Sequence, residues 1–204
     1  IQAHLDGRIV QYSAASKYES LNFVRLASGS LGGKARGLAF MNHMLADNAF
    51  KITYPNIQIR IPKVAVIGTD EFDSFMNNNK LWKIAFSKKK SDKSITRAFL
   101  KASLSKKLTS TLSRYLSDVK FPIAVRSSSL LEDSQYQPMA GMYSTYMLPN
   151  FEKSKKQRLD QLTKAIKLVY ASTYFKEPKS LIENSVHRHE EEKMAVVIME
   201  LIGK

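Results

Sequence analysis

Residues 122–146 contain side chains that could bind phosphate. An apolar run, typical of a buried strand, ends in Arg126, Ser127 and Ser128. An arginine guanidinium can hold two phosphate oxygens at once, and serine hydroxyls and backbone N–H groups can fill the remaining lone pairs. A solvated turn has the same residue types, so these residues alone leave both interpretations open.

Residues 29–49 form a second candidate anion site. Gly32 and Gly33 precede a helical pattern of apolar residues, and Lys34 follows them. Glycines before a helix N-terminus let backbone N–H groups approach an anion, and the lysine adds a mobile positive charge. The stretch is not a Walker A loop, because the first glycine and the hydroxyl residue after the lysine are both missing. A glycine-rich helix start without a binding role is the alternative.

The composition is typical of a globular protein. The chain has 204 residues, of which 44% are hydrophobic and 25% charged, which is enough for one large domain or two small ones. No apolar run reaches the length of a membrane span, and the absence of cysteine excludes disulfides and thiolate metal sites. These features fit a cytoplasmic protein. The first residue is not methionine, so we expect the chain to be a piece of something longer.

Most of the net charge of +14 comes from residues 80–120, which hold twelve lysines and arginines against two aspartates. Such a patch can bind nucleic acid, but a solvated helix face is the commoner outcome. Aromatic residues are sparse within it, so we favour the solvated face, and a basic nucleic-acid-binding module is kept as an alternative.

The spacing of apolar residues predicts a mixture of helices and strands. Helices are predicted over residues 18–26, 95–115 and 159–173. Another is predicted to begin at Lys34, with Leu38, Met41 and Leu45 on its buried face. A further helix is predicted after an N-cap at Thr69, with Phe72, Phe75 and Met76 buried. Strands are predicted at residues 8–12, 57–67, 123–125, 142–148 and 194–203. The last strand is nearly all apolar and is therefore predicted to be central in its sheet.

Several strings in a fixed order resemble one family. The chain reads AVRSSSLLED at 124–133, PMAGM at 138–142 and a Thr-Tyr pair at 145–146, with GGK at 32–34. In order and spacing these strings are similar to the nucleotide-binding domain of the phosphoenolpyruvate synthase and pyruvate phosphate dikinase family. The resemblance covers residues 29–203.

The resemblance implies an ATP-grasp fold of the α+β class, with a mixed, mainly antiparallel sheet and flanking helices. The chain would be the first half of that fold. Residues 1–28 would be a connecting segment from a preceding domain, and residues 29–204 the N-terminal half of the nucleotide-binding domain. Ligands for Mg²⁺ would come mostly from beyond residue 204, and no metal ligand is assigned within the chain.

The resemblance also implies which residues meet ATP. Lys34 and Arg126 would stabilise the phosphate charge during transfer and are the predicted catalytic residues. The others would bind the nucleotide, the last three at the hinge that meets adenine: Gly32, Gly33, Ser127, Ser128, Gly141, Glu200, Leu201 and Ile202.

Two methionines depart from the family pattern. Met142 and Met199 stand where the family has glutamine, and the first of these changes removes a polar contact from the loop expected over the phosphates. Glu132 and Asp133 follow the phosphate-binding string. As anions they cannot face phosphate directly, so we expect them to orient Arg126 or the loop, or to reach a metal.

The implied reaction is phosphoryl transfer from ATP, through a phosphohistidine in a separate domain, to pyruvate. The implied cofactors are ATP and Mg²⁺. Pyruvate and phosphoenolpyruvate would be partners through downstream domains, no membrane partner is expected, and a homodimer is left open. The alternatives within the superfamily are a dikinase acting on a glucan or an antibiotic, and an ATP sensor without catalysis. The chain alone is expected to be inactive and to bind ATP weakly, because half of the site would be missing.

Overall fold

The computed structural model describes residues 7–13, 21–46, 56, 59–129, 141–183 and 192–203. The strands in these ranges are β1 (Val10–Gln11), β2 (Phe23–Ala27), β3 (Val64–Ile67), β4 (Ile123–Ser128), β5 (Thr145–Leu148) and β6 (Ala195–Glu200). The helices are α1 (Gly32–Ala46), α2 (Thr69–Asn78), α3 (Trp82–Ala85), α4 (Asp92–Lys101), α5 (Lys106–Asp118), α6 (Lys155–Ser172) and α7 (Lys176–Glu183).

The strands form one mixed sheet in the order β1-β2-β3-β6-β4-β5. β1, β2 and β3 run parallel, whereas β6 pairs antiparallel with both β3 and β4, and β5 pairs antiparallel with β4. The predicted α+β class with a mainly antiparallel sheet is confirmed. The predicted central strand is also confirmed, because residues 195–198 of β6 are buried between β3 and β4.

One face of the sheet carries the main hydrophobic core. Side chains alternate along a strand, and the set that includes Val24, Ile67 and Ile198 points towards helices α2 to α6. At the centre of this layer, the rings of Phe72 and Tyr170 meet edge to face with their centroids 5.1 Å apart. Burying one such side chain contributes roughly 1.5–3 kcal/mol relative to leaving it exposed. This buried layer therefore holds helices α2 to α6 against this face of the sheet.

The opposite face is covered mainly by α1. Ala35 is fully buried there and packs in a small cluster with Val66 and Val197. Beyond α1, no other helix of the described ranges covers this face, and Met147 on β5 is 69% exposed. Arg126 lies on the same face, between Val197 and the β5 edge.

Helix α1 differs in part from the prediction. It begins at Gly32 rather than at Lys34. Leu38 and Leu45 pack against the sheet as expected, but Met41 is 48% exposed. The prediction of a buried Met41 was wrong, because the apolar patch under α1 is narrow and covers only part of the helix circumference.

Two predicted helices are organised differently. Residues 23–27 form β2 instead of ending the helix predicted over 18–26, because pairing with β1 and β3 satisfies the backbone and buries alternate side chains. The single helix predicted over 95–115 is interrupted and forms α4 and α5. Ser105 starts the second helix, since its hydroxyl accepts a hydrogen bond from the N–H of Leu108 at 3.0 Å.

The start of α2 also differs from the prediction. Thr69 is the first helical residue, and Gly68 occupies the N-cap position. The Oγ1 atom of Thr69 accepts a hydrogen bond from the N–H of Ser30 at 2.9 Å. The threonine therefore ties the loop before α1 to α2, while Phe72 and Phe75 are buried as predicted.

β1 and β2 precede residue 29 and yet belong to the same sheet as the later strands. Folded structure thus continues across the boundary predicted between residues 28 and 29. That boundary, and the role of residues 1–28 as a connecting segment, stay predictions.

Candidate functional site

Ser128 holds the start of α1 against the end of β4. Its hydroxyl donates to the carbonyl oxygen of Leu31 at 2.8 Å and accepts from the N–H of Ala35 at 3.0 Å. Beside it, the N–H of Gly33 donates to the carbonyl oxygen of Ser129 at 2.9 Å. These bonds bring together the two stretches that the sequence marked as candidate phosphate sites.

Gly32 is required for this close approach. Its φ of +72° lies in the left-handed region, and a Cβ added to it would lie 1.8 Å from the carbonyl oxygen of Ser128. Only glycine accepts both conditions without strain. The geometry thus gives Gly32 a packing role that the sequence did not reveal.

The first N–H groups of α1 are engaged within the protein. Gly33 donates to Ser129, Ala35 donates to Ser128, and the nitrogen of Gly32 lies 3.5 Å from Oγ of Ser30. An anion at this helix N-terminus would compete with these bonds. Binding of phosphate by the amides of Gly32 and Gly33 stays a prediction.

Lys34 and Arg126 line one groove on the open face of the sheet. The groove has a volume of about 390 Å³, within the range that holds small ligands. The described residues around it include two cations and no carboxylate, so it is positively charged. The others are mostly apolar: Gly37, Leu38, Met41, Pro62, Val197 and Met199. We call this the Lys34–Arg126 groove.

Arg126 has unused hydrogen-bonding capacity. Its Nε atom is buried and has no hydrogen-bond partner within the part of the chain that the structure describes. Leaving a buried donor unsatisfied costs about 1–3 kcal/mol, so such groups are rare in folded proteins. An anionic ligand in the groove could relieve this cost.

The two predicted serines lie on opposite faces of β4. Ser128 shares the α1 face with Arg126, whereas Ser127 lies between them on the core face, opposite Val196, and is 1% exposed. The hydroxyl of Ser128 is already paired with groups at the start of α1. The structure therefore brings neither hydroxyl into the Lys34–Arg126 groove, and their contact with phosphate stays a prediction.

Glu200, at the end of β6, is held by two hydrogen bonds. Its Oε2 atom accepts from Nη1 of Arg60 at 2.9 Å and from the N–H of Lys63 at 3.0 Å. Burial raises the pKa of the Glu200 carboxyl, but these bonds and the attraction of both cations outweigh it. The pKa therefore lies below its ordinary value of 4.5. The hydrogen bond to Glu200 in turn raises the pKa of Arg60.

This ion pair predicts an acid-dependent loss of stability. Because the pKa of Glu200 is lower in the folded state, its contribution is present above the unfolded pKa and is lost as the pH falls through the folded pKa. We expect Glu200→Gln to be less stable than the wild type at neutral pH by about 0.2–1 kcal/mol, the range of partly exposed ion pairs. The difference should shrink below pH 4.5.

Urea unfolding at a series of pH values measures this difference. Glu152→Gln is the matched control, since Glu152 is exposed and is not among the groups that shift the pKa of Glu200 or of Arg60. A stability difference between Glu200→Gln and the wild type that stays constant with pH would contradict the assignment.

The remaining predicted binding residues lie outside the lining of the groove. The N–H of Leu201 donates to the carbonyl oxygen of Pro122 at 3.0 Å, and Ile202 is 65% exposed. Gly141 is exposed with a φ of +80° and follows residues 130–140, which lie outside the described part. The predicted roles of Glu132 and Asp133 fall on that stretch too.

The two departures from the family pattern have different surroundings. Met142 packs against Ile182 and the edge of the main core, so it contributes to the apolar interior. Met199 instead lines the groove beside Arg126 and gives it an apolar wall.

Arg60 and Pro62 were not predicted from the sequence as residues of the site. Arg60 belongs to no recognisable motif, and it meets Glu200 only because β3 and β6 are neighbours in the sheet. Pro62 lies within the strand predicted over residues 57–67, and it forms part of the groove. No local pattern marks either residue.

In the described ranges, no group of three or more histidine, aspartate or glutamate side chains is placed to hold a metal ion. The helices in those same ranges are also too short or too polar to cross a membrane.

Comparison with protein families matches residues 28–204 to the model of the pyruvate phosphate dikinase AMP/ATP-binding domain. The matched range includes both cations of the groove and the elements that carry them. No curated protein matches the chain.

Proposed function

This chain belongs to the family of pyruvate phosphate dikinase AMP/ATP-binding domains, and on that premise we propose that the Lys34–Arg126 groove binds the phosphates of ATP. The observation that carries the proposal is the convergence of two cations, from α1 and β4, on one groove. The Nε of Arg126, which has no hydrogen-bond partner among the described residues, supports it further, because a bound phosphate would supply an acceptor.

The two cations suit different tasks. The guanidinium of Arg126 presents donors in a planar fork that can hold two phosphate oxygens, whereas the ammonium of Lys34 is a mobile point charge. Phosphoryl transfer depends mainly on positioning and charge stabilisation, with little covalent work for side chains. Gly32 and Ser128 act as positioning residues, since they fix the start of α1 against β4.

The rest of the nucleotide site is assigned by the family resemblance. The backbone of Glu200, Leu201 and Ile202 would meet adenine, and the loop that includes Gly141 would cover the phosphates. Mg²⁺ would accompany ATP, but the described residues of the groove offer it no carboxylate, so they do not fit a metal site. Its ligands would come mostly from the second half of the fold, beyond residue 204, with residues 29–204 as the first half.

The acceptor is proposed from the same resemblance. The full-length protein would transfer a phosphoryl group from ATP through a phosphohistidine to pyruvate, in the cytoplasm. Two alternatives to this function remain. The acceptor would be a glucan or an antibiotic, or the protein would sense ATP without phosphoryl transfer.

Release of AMP from ATP by the full-length protein tests this function. We expect AMP to appear when pyruvate is supplied and not when a glucan or an antibiotic replaces it. ATP binding without AMP release under any of these conditions would favour the sensor. The 204-residue chain by itself should bind ATP weakly and release no product. ATP hydrolysis by this purified chain would contradict the assignment of half a site to it.

A further inference from the structure

A second basic cavity lies on the other side of the sheet. It has a volume of about 730 Å³ and is formed by residues 87–91, the start of α4 and helix α7. Phe86 and Phe175, which adjoin these segments, pack against the main core, on the face opposite α1. The cavity is therefore separate from the Lys34–Arg126 groove. We call it the lysine pocket for the side chains that line it: Lys88, Lys89, Lys90, Lys93, Lys176 and Lys179.

The charge of the lysine pocket is unbalanced. Its lining has six lysines and two carboxylates, Asp92 and Glu183, so its net charge is +4. Both carboxylates are already engaged. Oε1 of Glu183 lies 3.0 Å from Nζ of Lys88, and Oδ1 of Asp92 accepts from the N–H of Lys176 at 2.9 Å. A concave surface of one charge sign concentrates ions of the opposite sign.

Contacts between its walls give the lysine pocket a fixed shape. Asp92 and Glu183 link α4 and the preceding loop to α7, and Nζ of Lys179 donates to the carbonyl oxygen of Ser87 at 3.2 Å. Lys179 is half-buried, and this burial lowers its pKa, although Asp92 and Glu183 act in the opposite direction. The lysines that the basic stretch contributes, Lys88 to Lys90 and Lys93, are exposed, as the predicted solvated face requires, and α7 adds the half-buried Lys179.

Three lysines of the pocket are not needed for these contacts. Lys89, Lys90 and Lys93 are exposed and have no ion-pair partner in the described ranges. They stand next to each other at the loop and the first turn of α4, so their charges repel. An anion held between them and the opposite wall would offset this repulsion.

We propose that the lysine pocket binds a small anion carrying two or more phosphate groups. Cavities of roughly 300–1,000 Å³ hold drug-sized ligands, so a single phosphate ion would leave most of this pocket unfilled. A multiply phosphorylated molecule can meet lysines on both walls, from the loop and from α7. Nucleic acid fits less well, because single strands bind by stacking their bases on aromatic side chains. The nearby rings of Trp82 and Phe86 instead stack on each other, with centroids 5.5 Å apart.

Calorimetric titration with inorganic tripolyphosphate tests the site. The chain carries Arg126→Met throughout, so that the Lys34–Arg126 groove contributes little. The test variant is Lys89→Gln/Lys90→Gln/Lys93→Gln. The control is Lys101→Gln/Lys106→Gln/Lys156→Gln, which removes the same charge from exposed positions outside the pocket. We expect the test variant to lose about tenfold or more in affinity and the control less than about threefold.

The other outcomes each decide against the proposal. Equal losses in the two variants would indicate a general effect of net charge, and absence of binding to the parent chain would rule the site out. Orthophosphate binding as tightly as tripolyphosphate would remove the requirement for two phosphates. If a single-stranded oligonucleotide bound more tightly than tripolyphosphate, and the test variant lost this binding, the surface would be a nucleic-acid interface.

A nucleoside triphosphate, titrated in parallel, distinguishes the source of the phosphate groups. Tighter binding than tripolyphosphate would identify an organic phosphorylated ligand, and equal binding an inorganic condensed phosphate. Either result supports the site. Circular dichroism of the two triple variants should be unchanged, because all six substituted lysines are exposed and none belongs to the hydrophobic core.

Discussion

Arg126→Met should weaken ATP binding at least tenfold and leave the chain as stable as the wild type, or more stable. Hydrogen bonds between charged groups contribute about 1.5–3 kcal/mol each, and about 1.4 kcal/mol is a factor of ten in affinity. Methionine keeps an apolar stem against the sheet but removes a buried Nε that has no partner in the described ranges. Opposite effects on binding and on stability are the signature of a functional group.

Calorimetry with ATP on the full-length protein and urea unfolding of the chain measure the two effects. Arg97→Met is the matched control, because Arg97 is exposed on α4 and lies outside the groove. Arg126→Lys should be intermediate, since it keeps the charge and loses the planar fork. Unchanged ATP affinity in Arg126→Met would remove this residue from the site.

Lys34→Met provides an internal check on the shared site. If both cations meet the same phosphates, the double variant should lose less than the sum of the two single losses, because residues that act on one ligand are coupled. Strictly additive losses would indicate that Lys34 and Arg126 act independently.

Gly32→Ala should destabilise the chain strongly and weaken ATP binding with it. The left-handed backbone costs a residue with a side chain about 1–2 kcal/mol. Overpacking against the carbonyl of Ser128, 1.8 Å from the added Cβ, costs about 1–3 kcal/mol more. Relief of the overlap requires α1 to move away from β4, which separates Lys34 from Arg126. Urea unfolding and ATP calorimetry follow the two consequences.

Gly37→Ala is the control for the effect on stability. Gly37 lies in the same helix, and a Cβ added there meets no atom within 4 Å. Alanine is the better helix former by about 1 kcal/mol, so this variant should be as stable as the wild type or more stable. If Gly32→Ala unfolded at the same urea concentration as Gly37→Ala, the proposed junction between α1 and β4 would be wrong.

The sequence predicted most of the framework, because local patterns reflect local physics. The apolar run of β6 indicated a strand buried on both faces, and the spacing of Phe72 and Phe75 indicated a buried helix face. The prediction that Lys34 and Arg126 belong to one site came from motif order alone, and the structure brings both into one groove. Their roles toward ATP stay a proposal.

The predictions that differ from the structure have a common cause, which is contact between residues distant in the chain. Residues 23–27 had a helical pattern but form β2, because two neighbouring strands were available to pair with them. Ser127 and Ser128 looked equivalent in the sequence. The pleat of β4 sends one into the core and the other to the start of α1.

The sequence by itself determined the family, the strand and helix types over most of the chain, and the two cations of the groove. Only the tertiary structure decided that Gly32 and Ser128 join the start of α1 to the end of β4. It also decided that Glu200 pairs with Arg60, and that part of the basic stretch lines a pocket. Each of these depends on distances between elements far apart in the chain, and such distances are set by how the whole core packs.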